Sequence, residues 1–199
     1  MCPSELGGFT GKILRIDLTN RRTTVEELSE EVLRTYLGGT GLGARILYDE
    51  VPPGVEWSDP ENRLIMAPGP VGGTKAAGSG IFSVVTKGAL INGAATSQAN
   101  GFFGAYLKFC GFDGIIVQGA AKELSYIHIS DGVAEIRDAT HLAGKDTWET
   151  EDIIKEELGK TERQMSVFGI GSAGENLVKF AGIVGDKGHI AAQVHPAFL

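Results

Sequence analysis

Positive charge, cysteine and long apolar runs are all scarce in this chain, and each scarcity removes a class of function. Lys and Arg number 18 against 25 Asp and Glu, which leaves a net charge of −7 over 199 residues. Without a global positive field to attract phosphate backbones or anionic lipid, neither nucleic acid nor a membrane surface is an expected partner. No apolar run approaches the ~18 residues that a bilayer span requires. Met1 to Thr10 show no basic stretch leading into an apolar one, so no secretory signal is read and the reducing cytoplasm is the expected setting. The two cysteines, Cys2 and Cys110, form no CxxC pair. They are too few for a four-cysteine iron–sulfur cluster and make no disulfide framework. The patterns G-x-x-x-x-G-K-[ST], H-E-x-x-H and G-x-S-x-G do not occur, so a phosphate loop, a zinc-protease helix and a hydrolase elbow have no basis here.

What the chain has in excess is glycine, 29 residues, about twice the usual ~7%. Glycine serves positive φ angles and close backbone approach. The excess therefore fits either a surface where main chain meets a ligand or a fold with many tight turns. Both readings stay open on the count.

Periodicity supplies the elements. Lys12 to Leu18 alternates apolar and polar residues as a half-buried strand does, and Thr23 to Glu26 follows as its hairpin partner. Ser29 before Glu30 and Glu31 predicts an N-capped helix that Gly38-Gly39 stops, and a second helix covers Gly41 to Val51. Leu64 to Ala67 and Ile81 to Thr86 read as buried strands around a turn cluster. A similar order begins again later. Gly114 to Val117 is a strand, and Leu124 to Ile129 turns through Ser130-Asp131-Gly132 into Val133 to Arg137. A helix follows over Asp146 to Leu158, with Trp148, Ile153, Ile154 and Leu158 on one face. Met165 to Phe168 and Leu177 to Val184 are strands flanking a glycine turn. The repeated order predicts a strand-rich α+β domain in two related β-rich halves.

Candidate sites are few. Gly39-Thr40-Gly41-Leu42-Gly43-Ala44 fits the dinucleotide fingerprint, but a helix rather than a strand precedes it, which removes the context that gives the fingerprint its meaning. Gly72 to Lys87 mixes glycines, small hydroxyl residues and two lysines, a composition suited to anion nests and equally to a wide loop. Asn92 to Gly104 reads as a similar loop, whose Gln98 and Asn100 suit a heterocycle edge and whose Phe102 and Phe103 suit the core. Cys110 reads as a buried, inert thiol. His189 sits in a flexible turn, Gly185 to His189. His128 and His141 have no partner at ligand spacing.

Longer stretches carry a resemblance. GKILRIDL (11–18), YLGGTGLGA (36–44), PENRLIMAPGPVGGT (60–74), GFFGAYLKFCGFDGIIVQG (101–119), AEIRDATHLAGKDTWETE (134–151) and GSAGENLVKFAGIVGD (171–186) are similar, in order, to the N-terminal domain of the aldehyde:ferredoxin oxidoreductase family. The resemblance implies a duplicated, saddle-like α+β domain over residues 1–192, with 193–199 an atypical tail. It implies part of a tungsten enzyme that oxidises aldehydes to carboxylic acids with ferredoxin as electron acceptor. The implied cofactor is tungsten on two molybdopterins whose phosphates share a magnesium ion. A [4Fe–4S] cluster is expected only with later domains that this chain does not contain. The residues so implied for the pterin phosphates are Gly80, Ile81 and Phe82; Gln98, Ala99, Asn100 and Gly101; and His189, Ile190, Ala191 and Ala192. Main-chain oxygens of Gln98 and Ala191 would hold the magnesium. The resemblance also implies arginine where Ile81 and Ile190 stand and asparagine at Gln98, so two phosphate-pairing groups are missing, with Lys75, Lys87 or Lys187 as substitutes. By itself such a chain is expected to be inactive and to expose an apolar face that favours self-association. The other reading is a stand-alone, non-catalytic pterin-binding module or a degenerate remnant.

Overall fold

The computed structural model describes residues 6–191. Six strands form the main sheet: β1 (Lys12–Asp17), β2 (Arg22–Glu27), β3 (Arg63–Pro68), β4 (Phe82–Lys87), β5 (Ala94–Ala99) and β6 (Gly114–Gln118). Their order is β2-β1-β6-β3-β4-β5, with every neighbouring pair antiparallel except β1 and β6. The architecture is mixed α/β without βαβ alternation. The alternation in β1 predicts one buried face, yet Ile13, Leu14 and Ile16 are all buried. Ile13 packs with Leu42, Ile46 and Leu47 of helix α2 (Gly39–Glu50) on one side, while Leu14 and Ile16 face the second half of the chain on the other. Along the strand Arg15 and Asp17 share the face of Ile13 and stay half-buried, so α2 covers that face only in part.

Helix α1 (Glu30–Tyr36) begins as the sequence predicts, with the Ser29 hydroxyl accepting from the Val32 amide. Leu37 then takes a left-handed φ of 62°, and α2 starts two residues earlier than expected, at Gly39. Helix α2 lies close on β4 because Gly43 has no side chain; a Cβ there would stand 2.6 Å from a Val85 methyl.

The second half contains the hairpin β7 (Ser125–Ser130) and β8 (Val133–Asp138), helix α4 (Thr147–Glu157), and a three-stranded sheet of β9 (Phe168–Gly169), β10 (Ile183–Gly185) and β11 (His189–Ala191). Asp131 and Gly132 turn the hairpin with φ of 51° and 81°, the primed geometry the Asp-Gly pair predicts. Asp146 and Glu149 close a capping box on α4.

Four expectations need correction. Residues 92–104 are not a loop: β5 occupies Ala94–Ala99 and helix α3 (Phe103–Phe109) follows. The strand predicted over Leu177 to Val184 is a turn until Ile183, because Leu177 and Phe180 face solvent instead of a neighbour. The Met165–Phe168 strand shrinks to Phe168–Gly169, and residues 172–175 wind into a short helix, α5 (Ser172–Glu175). On α4, Trp148 leaves the apolar face and lies exposed beneath Lys187. The described residues form one six-stranded, one three-stranded and one two-stranded sheet.

One polar cluster ties the main sheet to α2. Arg15 on β1 donates to Glu26 at 2.5 and 3.1 Å, to Glu50 at 2.7 Å from each of two nitrogens, and to Gln118; Arg63 adds a bond to Glu50 at 3.0 Å. Burial works to raise the Glu50 carboxyl, but the hydrogen bonds and charges of Arg15 and Arg63 outweigh it and hold it below the usual range. A carboxylate depressed in the folded state contributes stability above its unfolded pKa, about 4.3, and loses it as pH falls through the folded value. Glu50→Gln is therefore expected to cost about 2 kcal/mol at pH 7 and much less well below pH ~4. Urea midpoints across that range test this, and a loss independent of pH would refute the assignment.

Candidate functional site

Three segments far apart in sequence meet at one end of the main sheet. Strand β4 pairs with β5 so that Phe82 faces Ala99 and Ser83 faces Gln98. Just outside that pair, Gly80 lies so near Gly101 that a Cβ on it would stand 2.9 Å from the Gly101 carbonyl oxygen. Strand β11 packs along β5, and Ala191, Ala99, Phe82 and Ile183 share one core. Beneath them Phe82, Phe103 and Phe168 form a trio with ring centroids 4.9, 5.0 and 5.7 Å apart.

The turn that carries His189 and Ile190 is tied down, contrary to the flexible turn expected. Asp186 Oδ2 accepts from the Phe102 amide at 2.6 Å and from the Ser166 hydroxyl at 2.8 Å. The Lys187 amide donates to Glu151 Oε2 at 2.9 Å, and the Lys187 ammonium is held by Asp152 and the Trp148 carbonyl. Glu151 is buried with Lys155, whose ammonium lies 2.6 Å from Glu151 Oε1. Asp186 and Lys187 both have left-handed φ, 45° and 56°. This conformation is uncommon for such residues, so surrounding contacts have to maintain it.

All the predicted residues but Ala192 fall within the described structure. Phe82, Ala99 and Ala191 are buried, so any ligand contact from them comes through main chain. Gln98, Asn100 and His189 are exposed, and Ile81 and Ile190 leave 41% and 51% of their surfaces open. Ala192 lies outside the described residues, as does the tail 193–199. Of the three lysines offered as substitutes for arginine, Lys87 donates to the Val55 carbonyl and Lys187 to Asp152, so both are engaged away from the pair of isoleucines. Lys75 is exposed on the loop before Gly80. Phe102, expected in the core, is 52% exposed. Cys110 is half-buried, and burial pushes its thiol pKa up, in keeping with an inert residue.

Beside these segments lies an open recess of about 300 Å³. Ile81, Ser83 and Gln98 line it together with Gly38, Gly39 and Thr40 at the start of α2 and the loop residues 69–72. Thr40 donates to Ser83 at 3.1 Å. Sequence alone does not bring Gly38, Gly39 and Thr40 to the site, because a glycine fingerprint carries meaning only after a strand. The structure supports rejecting the fingerprint, since α1 runs directly into α2. It also gives the glycines another use, as the main-chain wall of the recess. No three His, Cys, Asp or Glu side chains cluster to hold a metal among the described residues. A cation here would take main-chain oxygens and oxygens of the ligand itself.

Comparison with known proteins places this geometry. The family described as "Aldehyde ferredoxin oxidoreductase, N-terminal domain" matches residues 13–194. A tungsten-containing aldehyde ferredoxin oxidoreductase of Pyrococcus furiosus is 44% identical over 185 residues, covering 93% of this chain and 30% of the relative. A protein of the same name from Thermococcus kodakarensis gives the same figures. An aliphatic sulfonate oxidoreductase, WOR-like subunit, also from P. furiosus, is 37% identical over 196 residues, or 92% of this chain and 31% of its own length. Among solved structures, the active site complex BamBC of benzoyl coenzyme A reductase in complex with 1,5-dienoyl-CoA superposes with a TM-score of 0.91 at 39% identity. It covers 96% of this chain and 29% of that one. The chain thus spans about 30% of the length of the curated relatives it matches.

Proposed function

Because the chain belongs to the aldehyde ferredoxin oxidoreductase family, through its N-terminal domain, we propose that it is the platform on which a tungsten–bis-molybdopterin cofactor rests. The observation that carries this reading is the meeting of residues 80–82, 98–101 and 189–191 on one main-chain surface. Glycine and buried alanine keep side chains out of the way, so backbone groups can approach a broad flat ligand. The duplicated, saddle-like form expected of the family suits such a base. When bound, the cofactor would supply the two-electron redox centre for oxidising an aldehyde to its acid. Ferredoxin, the [4Fe–4S] cluster and the substrate pocket would be functions of the whole protein.

Relatives named for aldehydes, for aliphatic sulfonates and for benzoyl-CoA share this portion. A part common to several chemistries serves the cofactor better than it serves substrate choice. In this chain main-chain amides and Lys75 would bind the phosphates, and Ile81 and Ile190 would contribute only apolar contact. Magnesium would be held by the main-chain oxygens of Gln98 and Ala191.

The test is elemental and pterin analysis of the protein purified anaerobically from a tungstate-fed host. Tungsten, pterin and phosphorus are expected to co-purify with the chain. Restoring a guanidinium by Ile81→Arg should tighten cofactor binding at least about tenfold, as a charge-assisted bond worth ~1.5–3 kcal/mol implies. An empty protein that stays empty after Ile81→Arg would overturn the reading.

A further inference from the structure

The hairpin that carries His189, Ile190 and Ala191 is poorly specified by its own residues. Gly188 donates to the Gly185 carbonyl at 3.1 Å, which closes a tight turn around Asp186 and Lys187. Two successive positive φ angles, 45° and 56°, make this the kind of turn that Asn-Gly or Asp-Gly forms readily. Asp186 suits the first place, but Lys187 stands where glycine is preferred and carries the Cβ penalty of the left-handed region. The two strands, β10 and β11, have three residues each. A hairpin that short holds no position alone. Its place against the main sheet is set by contacts from outside.

Those contacts converge on Asp186. Its Oδ2 accepts from the Phe102 amide at 2.6 Å and from the Ser166 hydroxyl at 2.8 Å, while its own amide donates to the Val167 carbonyl at 3.2 Å. One residue thus joins the β10–β11 turn to the approach to β9 and to the junction of β5 with α3. Glycine makes the approach possible. A Cβ on Gly101 would stand 2.6 Å from Asp186 Oδ2, and one on Gly80 would stand 2.9 Å from the Gly101 carbonyl oxygen. Gly80, Gly101 and Asp186 therefore form a line of close contacts, and that line links the three segments of the candidate site. The bond from the Lys187 amide to Glu151 steadies the same turn, but it leads to α4 and away from residues 98–101.

We infer that Asp186 is a positioning residue of the platform. By accepting from the Phe102 amide it fixes the 189–191 hairpin against residues 98–101, and so sets the distance between the main chain at Gln98 and at Ala191. Both of its bonds require an acceptor oxygen in one place, which an amide oxygen also provides. The importance of that distance for a cofactor rests on the platform reading above; the coupling of the two segments does not.

Three variants of the 199-residue protein test this. Asp186→Gly removes both hydrogen bonds and suits the left-handed φ, so the turn itself can still form. Asp186→Asn keeps an acceptor oxygen. Glu50→Gln, in the Arg15 cluster, calibrates a loss of stability made elsewhere. The readouts are urea midpoints, amide exchange of the cofactor-free proteins, and pterin per chain after anaerobic purification from a tungstate-fed host. In Asp186→Gly, exchange at Phe102 and over residues 189–191 should rise at least ~10-fold beyond what its loss of global stability, calibrated on Glu50→Gln, accounts for. Pterin per chain should fall by about the same factor, while Asp186→Asn keeps both near the wild-type values. An exchange rate in Asp186→Gly that only follows global stability would make Asp186 an ordinary stabilising residue and end the inference. Asparagine behaving like glycine would do the same, as would full pterin content in an Asp186→Gly protein whose exchange has risen. An empty wild-type protein would overturn the platform reading, and the exchange rates would still decide whether Asp186 fixes the two segments.

Discussion

Glu151→Ala is expected to lower stability by about 3 kcal/mol, the near end of the range for breaking a buried ion pair. Two groups lose their acceptor at once. The Lys155 ammonium remains buried, with the exposed Glu162 3.9 Å away as a weak replacement. The Lys187 amide loses its bond to Oε2. The second loss bears on the candidate site, because Lys187 directly precedes Gly188–Ile190, where β11 begins. A paired replacement, Glu151→Leu with Lys155→Met, separates the two effects, since apolar residues of similar volume often recover the stability of a buried pair. Urea denaturation should then return most of the way, while hydrogen exchange at Lys187 stays fast. Recovery of both would show that Glu151 has no part in holding the turn.

Asp113→Ala should be costlier, about 3–5 kcal/mol, or a melting temperature lower by about 10 °C for a domain of this size. Asp113 is buried just before β6 and accepts from the Thr10 amide at 3.0 and 3.1 Å and from the Gly11 amide at 2.7 Å. It also pairs with the buried ammonium of Lys108, which donates to the Gly8 carbonyl at 2.6 Å. One carboxylate thus fixes the entry into β1 against the start of β6, the two strands of the sheet's parallel pair. Without it, a cation and two amides are left in the interior. Asn at this position can still accept but presents an amide nitrogen to Lys108, so Asp113→Asn is expected to recover only part of the loss. Scanning calorimetry decides this; full recovery by Asn would assign the effect to the amides and not to the charge.

The legible parts of the fold were those that local rules govern. Ser29 caps its helix, Asp131-Gly132 turns its hairpin, and the apolar runs at 64–67 and 114–117 are strands, because each depends on residues within one turn of itself. The errors fell where a distant partner decides. Residues 94–99 have weak strand composition, yet β4 supplies a full ladder and makes them β5. Leu177 to Gly182 has a strand's composition but no neighbour to pair with, so it forms turns, and the strand begins only at Ile183. The candidate site divides in the same way. Its residues came from extended resemblance; no local signal marks Gly80 or Ala191. Asp186, which joins Gly101–Phe102 to the β10–β11 turn, was read only as part of a flexible loop, because its partners lie 84 and 20 residues away.

The sequence by itself determined the position of most elements and the family. Composition and local periodicity act over a few residues and survive without a fold, and collinear similarity accumulates over the whole chain. Only the tertiary structure decided that three glycine- and alanine-bearing segments meet at one end of the main sheet, and that Lys87 and Lys187 are engaged elsewhere. Those are facts about pairing between residues 20 to 100 positions apart. A pairing of that kind depends on which edges and charges the folded chain brings within a few ångströms, and no local pattern records it.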